Sequence, residues 1–320
     1  MPALSRCPVD AAAQQGRIDD DGAQEQNLTI SSNLKSQVRA LGVGFDPTIQ
    51  IATQKIYRPH LDMSPAQERL DVEYGADPRQ RLDLYLPEHT ASAVVVFVHG
   101  GGFIGGSKNE DGTFYVNVGR FLARNGFAAV LPSYRLAPAF AWPCAAHDVR
   151  DSVSWARDHV PGAGAAQLPL IVIGQSAGAS HVASWLFDHP TRAAPLGPVA
   201  GVMLMSGYYK AVAPLAPNLA AYFGDDPAQY ARRSPLTHVA KTDIPIWLSV
   251  AQYDPGIIAA RSFEMAQALC VCNGRSPEFA YLRGHNHVST VMSLGSPHDD
   301  CADQMLAFLR SLASPHIQNE

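Results

Sequence analysis

The feature that most limits the fold is a rhythm. Apolar runs at 93–98, 127–131, 168–173, 199–205, 244–250 and 278–282 alternate with helix-forming stretches near 113–125, 144–160, 177–188, 256–270 and 300–312. Ala93-Val94-Val95-Val96-Phe97-Val98 is apolar at every position rather than at every second one, the pattern of a strand covered on both faces. Strands of that kind, separated by helices, build a parallel sheet with helices on both sides, because each crossover returns the chain to the same end of the sheet. Ahead of them, residues 69–74 and 81–86 alternate apolar with polar around the turn Ala76-Asp77-Pro78, which predicts an antiparallel hairpin at the sheet edge. The expected class is α/β, with a mostly parallel eight-stranded sheet.

Within that rhythm, Gly174-Gln175-Ser176-Ala177-Gly178 follows the apolar run 168–173 directly and precedes a helical stretch. A strand that turns sharply into a helix around an exposed serine leaves no room for side chains two residues on either side, and glycine fills that need. A bare G-x-S-x-G arises by chance in roughly one chain in ten of this length, so its weight comes from the setting. Ser176 is the candidate nucleophile.

A second element lies 77 residues upstream, where the run 93–98 leads straight into His99-Gly100-Gly101-Gly102. Histidine followed by three glycines is expected in well under about 1% of random chains of this size. Consecutive glycines let backbone N–H groups turn toward the oxygen that becomes negative when an ester carbonyl is attacked. Gly101 and Gly102 are the expected donors, with Ala177, the residue after the nucleophile, as the third.

His99-Gly100-Gly101-Gly102-Phe103, the segment PSYRLAP at 132–138 and the serine pentapeptide at 174–178 resemble the α/β-hydrolase superfamily. Within it the chain is similar to the esterase group of hormone-sensitive lipase and to related bacterial carboxylesterases and feruloyl-esterase-like enzymes, over about residues 68–312. The resemblance implies the α/β-hydrolase fold with a helical lid, a serine hydrolase working through an acyl-enzyme on carboxylic esters, and no cofactor. One departure is Gln175, where relatives of hormone-sensitive lipase carry Asp and many feruloyl-esterase-like ones carry His. That position is not one of the three proton-handling groups.

A serine hydroxyl needs a base, and the base needs an acid to hold its tautomer, in the chain order Ser, Asp or Glu, His that this fold uses. Residues 244–250 read as a late strand, and Asp254 stands at its carboxyl end, where an open α/β sheet gathers its ligands. Asp254 is the expected acid, although Asp-Pro also opens helices and Asp254 could cap the one beginning near Ile257. Asp225 and Asp226 lie in a turn with no strand before it. The base is His285 or His287, on the stretch Gly284-His285-Asn286-His287-Val288-Ser289 after the last strand. Physics alone does not separate the two; the resemblance, which places the imidazole just before an apolar residue and a serine, maps onto His287. His99 is expected to brace the glycine loop.

Composition sets the outer limits. With 320 residues, 47% hydrophobic and 17% charged, the chain has ample apolar surface for one core, as α/β folds of this length commonly do. The 24 basic against 29 acidic residues leave a net charge of −5 and no basic footprint for nucleic acid. The first residues carry no apolar signal core and no run reaches the roughly 18 residues of a membrane span, so a cytoplasmic protein without membrane contact is expected. Five cysteines make no disulfide framework, Cys270-Val271-Cys272 is too tight for the usual metal pair, and no metal is expected.

The expected layout is a flexible arm over 1–30, an N-terminal helical lid segment over 31–65, and an α/β-hydrolase core over 66–320 interrupted by a lid insertion at about 207–240. That insertion carries Tyr208, Tyr209, Tyr222, Phe223 and Tyr230, which either face the acyl or alcohol pocket or pack the insertion onto the core. The partner is a small-molecule ester, and pairing of the last strand and helix makes a homodimer the assembly to look for. The alternatives are an amidase or arylformamidase on the same groups, and a catalytically silent ligand-binding relative.

Overall fold

The computed structural model describes residues 11–162, 168–187, 198–297 and 300–313. Its strands are β1 (Gln67–Glu73), β2 (Arg81–Leu86), β3 (Ala93–Val98), β4 (Phe127–Pro132), β5 (Leu170–Gln175), β6 (Gly201–Met205), β7 (Ile246–Tyr253) and β8 (Glu278–Asn286). They form one sheet in the order β1-β2-β4-β3-β5-β6-β7-β8. The hairpin β1–β2 and the β2–β4 pair are antiparallel, and every pair from β4 to β8 is parallel. The helices are α1 (Ala11–Leu41), α2 (Pro47–Tyr57), α3 (Val116–Arg124), α4 (Cys144–His159), α5 (Ala177–Phe187), α6 (Pro217–Phe223), α7 (Tyr230–Arg233), α8 (Gly256–Asn273), α9 (Ser289–Met292) and α10 (Asp300–Ala313).

The sheet carries a core on each face, which is why β3 is apolar throughout. Val94, Val96 and Val98 point into one core with Val149 and Val153 of α4, Val182 of α5 and Met265 of α8. Ala93, Val95 and Phe97 point into the other with Leu34 and Val38 of α1, Leu122 of α3 and Met305 of α10. Every residue of β3 is at most 1% exposed, and truncating a buried Phe such as Phe97 to Ala costs about 3–5 kcal/mol. Because β3, β5, β6, β7 and β8 run parallel, their carboxyl ends share one edge of the sheet. His99, Ser176, Ser206, Asp254 and His287 are each the first residue, within one position, beyond those ends.

The structure differs from the sequence reading in two places and decides between its alternatives in a third. Residues 11–30, read as flexible arm, belong to α1, which runs unbroken to Leu41; Ala, Gln and Glu favour helix, and no proline stands between Pro8 and Pro47. Residues 1–10, His298 and the last seven residues lie outside the described part. The last strand extends beyond 282 through Gly284-His285-Asn286, expected as loop, with Asn286 paired to Tyr253. In the insertion all five aromatic residues are buried in the core on the α5 face, and of the five Tyr208 lines a cavity at the site. Packing onto the core is thus the reading that holds for Tyr209, Tyr222, Phe223 and Tyr230, with the Tyr222 ring stacked 4.6 Å from Phe103.

The N-terminal segment rests against the same sheet edge. Asp46 caps α2 by accepting from the N–H groups of Thr48 and Ile49. The helix buries Thr53, Gln54 and Tyr57, while Ile51 stays exposed. Among the described residues no helix is long and apolar enough to cross a membrane.

Candidate active site

Ser176 stands between β5 and α5 with a left-handed φ of +56°, a conformation that costs a non-glycine residue about 1–2 kcal/mol. Its own N–H holds it there, donating to Met205 O at 2.8 Å. The flanking glycines are required by contact: a Cβ on Gly178 would strike the carbonyls of Val98 and His99, and one on Gly174 would strike the start of α5.

His287 Nε2 lies 2.8 Å from Ser176 Oγ, and His287 Nδ1 lies 2.7 Å from Asp254 Oδ1. With a carboxylate at Nδ1, that nitrogen carries the proton and donates it, which leaves Nε2 to accept from the serine hydroxyl. Asp254 and His287 are 5% and 4% exposed. The second oxygen of Asp254 accepts from Ser206 Oγ at 2.6 Å and from Ala251 N–H at 2.7 Å. No N–H of α8 is bonded to it, so Asp254 is not the cap of that helix. Asp225 and Asp226 are exposed, and Asp226 accepts from Ala228 N–H in its own turn.

The two histidines of the 284–289 stretch separate by burial. His285 belongs to β8, is fully buried, and pairs through Nδ1 with Ser289 Oγ at 3.1 Å. His287 is just past the strand end, where its ring reaches Ser176. The preceding residue is tied down as well: Asn286 Nδ2 donates to Thr53 Oγ1 of α2 at 2.8 Å.

On the opposite side of Ser176, Gly101 takes φ +131° and accepts from Gly105 N–H at 3.0 Å; a Cβ here would collide with the Gly105 carbonyl. Gly102 O accepts from Asn218 Nδ2. Gly100 N–H donates to Tyr115 Oη. Among the described residues no acceptor takes the N–H of Gly101, Gly102 or Ala177, so three donors remain for an oxygen from outside.

The loop is braced from below. His99 Nδ1 donates to Gly100 O at 2.5 Å, its ring stacks on Tyr134, and burial pushes its pKa down to about 3, so the imidazole is neutral. Tyr134 Oη donates to His99 O. Its neighbour Arg135 forks onto the buried Asp148, which explains the use of the 132–138 segment.

Gln175 joins the parts. Its Oε1 accepts from Tyr115 Oη at 3.2 Å and its Nε2 donates to His287 O at 3.1 Å. Burial holds Tyr115 well above its ordinary pKa, so the phenol keeps its proton.

Two cavities open on either side of Ser176. One, of about 450 Å³, is walled by apolar side chains of the 212–219 segment and α8, with Tyr208 and Arg261. The other, of about 430 Å³, is lined by His287, Gly101, Gln175, Gln50 and Glu110. Burial first, and then Asp111, push the Glu110 carboxyl above its ordinary range. Phe45 lines both, its ring centroid 4.9 Å from that of His287.

Ser206, Phe45 and Arg261 were missed by sequence reasoning. A serine after a strand or a phenylalanine in a linker has no pattern; Ser206 gains meaning only once β6 is known to lie between β5 and β7. Among the described residues no group of three or more His, Cys, Asp or Glu is placed to hold a metal ion. Cys270 and Cys272 of α8 are half-buried.

Residues 82–186 match the family model BD-FAE, and residues 144–314 match that of the prolyl oligopeptidase family. Esterase LipC of Mycobacterium tuberculosis is 37% identical over 114 residues, 34% of this chain and 27% of that one. The chain thus spans about a quarter of that relative's length. Kynurenine formamidase of Danio rerio is 29% identical over 222 residues, 64% of this chain and 70% of that one. In fold, the chain superposes on the crystal structure of esterase B from Lactobacillus Rhamnosis with a TM-score of 0.67 at 18% identity, covering 88% of this chain and 96% of the other.

Proposed function

Since the chain belongs to the prolyl oligopeptidase family, we propose that it is a serine hydrolase that cleaves carboxylic esters of small or aromatic substrates, with Ser176, His287 and Asp254 as its catalytic groups. The observation that carries this reading is the unbroken line of hydrogen bonds from hydroxyl to imidazole to carboxylate beside three uncommitted N–H groups.

In the first half-reaction Ser176 Oγ bonds to the ester carbonyl carbon while its proton passes to His287 Nε2. The carbonyl oxygen becomes negative and is held by the N–H groups of Gly101, Gly102 and Ala177, each donor typically worth about 100-fold to 1000-fold in rate. The C–O bond to the leaving group then breaks, and His287 gives its proton to the departing alcohol. Water repeats the sequence: it loses a proton to His287, bonds to the acyl carbon, and frees the acid as Ser176 recovers its proton. Asp254 keeps the imidazole in the required tautomer and stabilises its charged form. None of these steps calls for a cofactor.

Replacing Ser176 by Ala should abolish turnover of short-chain p-nitrophenyl esters with the circular dichroism spectrum unchanged, and a fluorophosphonate probe should label the wild type at Ser176. Retained activity in the variant overturns the reading, and absence of labelling would favour a silent ligand-binding relative. A second reading is amide cleavage, as in an arylformamidase, favoured by the similarity to kynurenine formamidase. Matched ester and anilide substrates separate the two. The 31–65 segment and the 207–240 insertion serve as cover for the site. Because β8 ends the sheet opposite β1, pairing of two copies along that edge is the proposed assembly, read by light scattering.

A further inference from the structure

The two cavities that meet at Ser176 are told apart by His287. The leaving alcohol must receive its proton from Nε2, so it departs on the side where the imidazole forms the wall. His287 lines the second cavity and not the first, which leaves the first for the acyl half of the ester.

That acyl cavity is apolar along Val212, Pro214, Leu219, Ile257 and Ile258, and among the described residues lining it the one charged side chain is Arg261. Arg261 sits one turn along α8 from Ile257 and Ile258, on the same face, and is 7% exposed. Its Nη1 donates to Glu264 Oε1 at 2.6 Å, and it is hydrogen-bonded to the side chain of Tyr208, which also lines the cavity. Its Nε is buried, and among the described residues no acceptor takes it. A guanidinium offers five N–H groups in a planar fork, and a buried one left partly unsatisfied is costly. Among the described residues no carboxylate lines this cavity to complete it.

Resting on the hydrolase reading above, we propose that the acyl cavity selects acyl groups that end in a carboxylate, the half-esters of short dicarboxylic acids, and that Arg261 binds that terminal carboxylate. The methylene chain lies along the apolar wall and the anion meets the guanidinium, whose geometry suits a carboxylate. Glu264, 37% exposed at its side chain, pairs with the same guanidinium and so competes with a bound carboxylate.

The test is a ratio. Phenyl monoesters of glutaric and adipic acid are compared with phenyl pentanoate and phenyl hexanoate, which replace the carboxylate by a methyl group and keep the leaving group. In the wild type kcat/KM should favour the carboxylated ester. Arg261→Met should lower that ratio about tenfold, a size reasonable for leaving a buried polar group unpaired, and Arg261→Lys should recover part of it. Glu264→Gln, which keeps the guanidinium and removes its competitor, should raise the ratio and stands on its own where Arg261→Met does not fold. A ratio that Arg261→Met changes by less than threefold, or that Glu264→Gln leaves at or below the wild-type value, overturns the proposal. If neutral esters are cleaved and only the ratio is indifferent to Arg261, this inference alone fails; if no ester is cleaved and fluorophosphonate does not label Ser176, the hydrolase reading fails first.

Discussion

The floor of the site and its rim are built differently. On the floor, Ser206 is fully buried and Asp254 and His287 are nearly so, and each is held by hydrogen bonds from strand ends that pair with one another. On the rim, Phe45, Ile104, Val212 and Ile257 line the cavities as large apolar side chains that are each more than 40% exposed. Polar groups need direction, and a parallel sheet supplies it; apolar groups need only to be present, so loops and helix starts suffice. In the proposed reaction the floor sets which chemistry is done, and the rim sets what reaches it. In such an arrangement floor substitutions act on kcat and rim substitutions on KM.

Three outcomes would break or sharpen this contrast. The largest concerns acid stability beneath the floor, where His99 and His181 are buried and their pKa values are pushed from 6.5 down to about 3. Burial is the main cause for both. Between those values the unfolded chain binds one more proton per imidazole than the folded one. Stability is therefore lost as pH falls below about 6.5, by up to about 1.4 kcal/mol per pH unit for each imidazole. Denaturant unfolding of His181→Gln between pH 6 and 4 should show a slope shallower by about that amount. Equal slopes would mean that His181 takes a proton in the folded state.

Next in size is Ser206→Ala, which removes one of two donors from the outer oxygen of Asp254. It should lower kcat about tenfold, consistent with a lost hydrogen bond to a charged group, and shift the acid limb of the pH–rate profile, with KM little changed. A change confined to thermal stability would make Ser206 merely structural. The smallest effect is at the rim: Phe45→Ala should raise KM about threefold, the order expected for part of an aromatic contact, and alter kcat less. A loss mainly in kcat would show that Phe45 holds the His287 ring in place, and the division between floor and rim would blur.

How much could be read beforehand follows the same line. β3 is legible because burial on both faces leaves no polar position, and Ser176 is legible because its backbone collides with anything larger than glycine at 174 and 178. Asp254 was readable from its place after an apolar strand. His285 and His287 were not separable, because the sequence does not show that the strand continues to Asn286 and takes the first of them inside. α1 was misjudged since a polar, Ala- and Gln-rich stretch suits both an irregular arm and a helix. Arg261 and Phe45 line one cavity although some two hundred residues of chain separate them, and no local pattern records that.

The two cavities share Ser176, and this has a consequence for the covalent intermediate. In the proposed reaction, once the alcohol has gone the acyl group stays in the first cavity and the second stands open beside the imidazole. Whatever hydroxyl compound settles there next is placed as well as water to take the acyl group. On the proposed mechanism, a medium rich in a small alcohol would turn the same centre toward making esters as well as cleaving them.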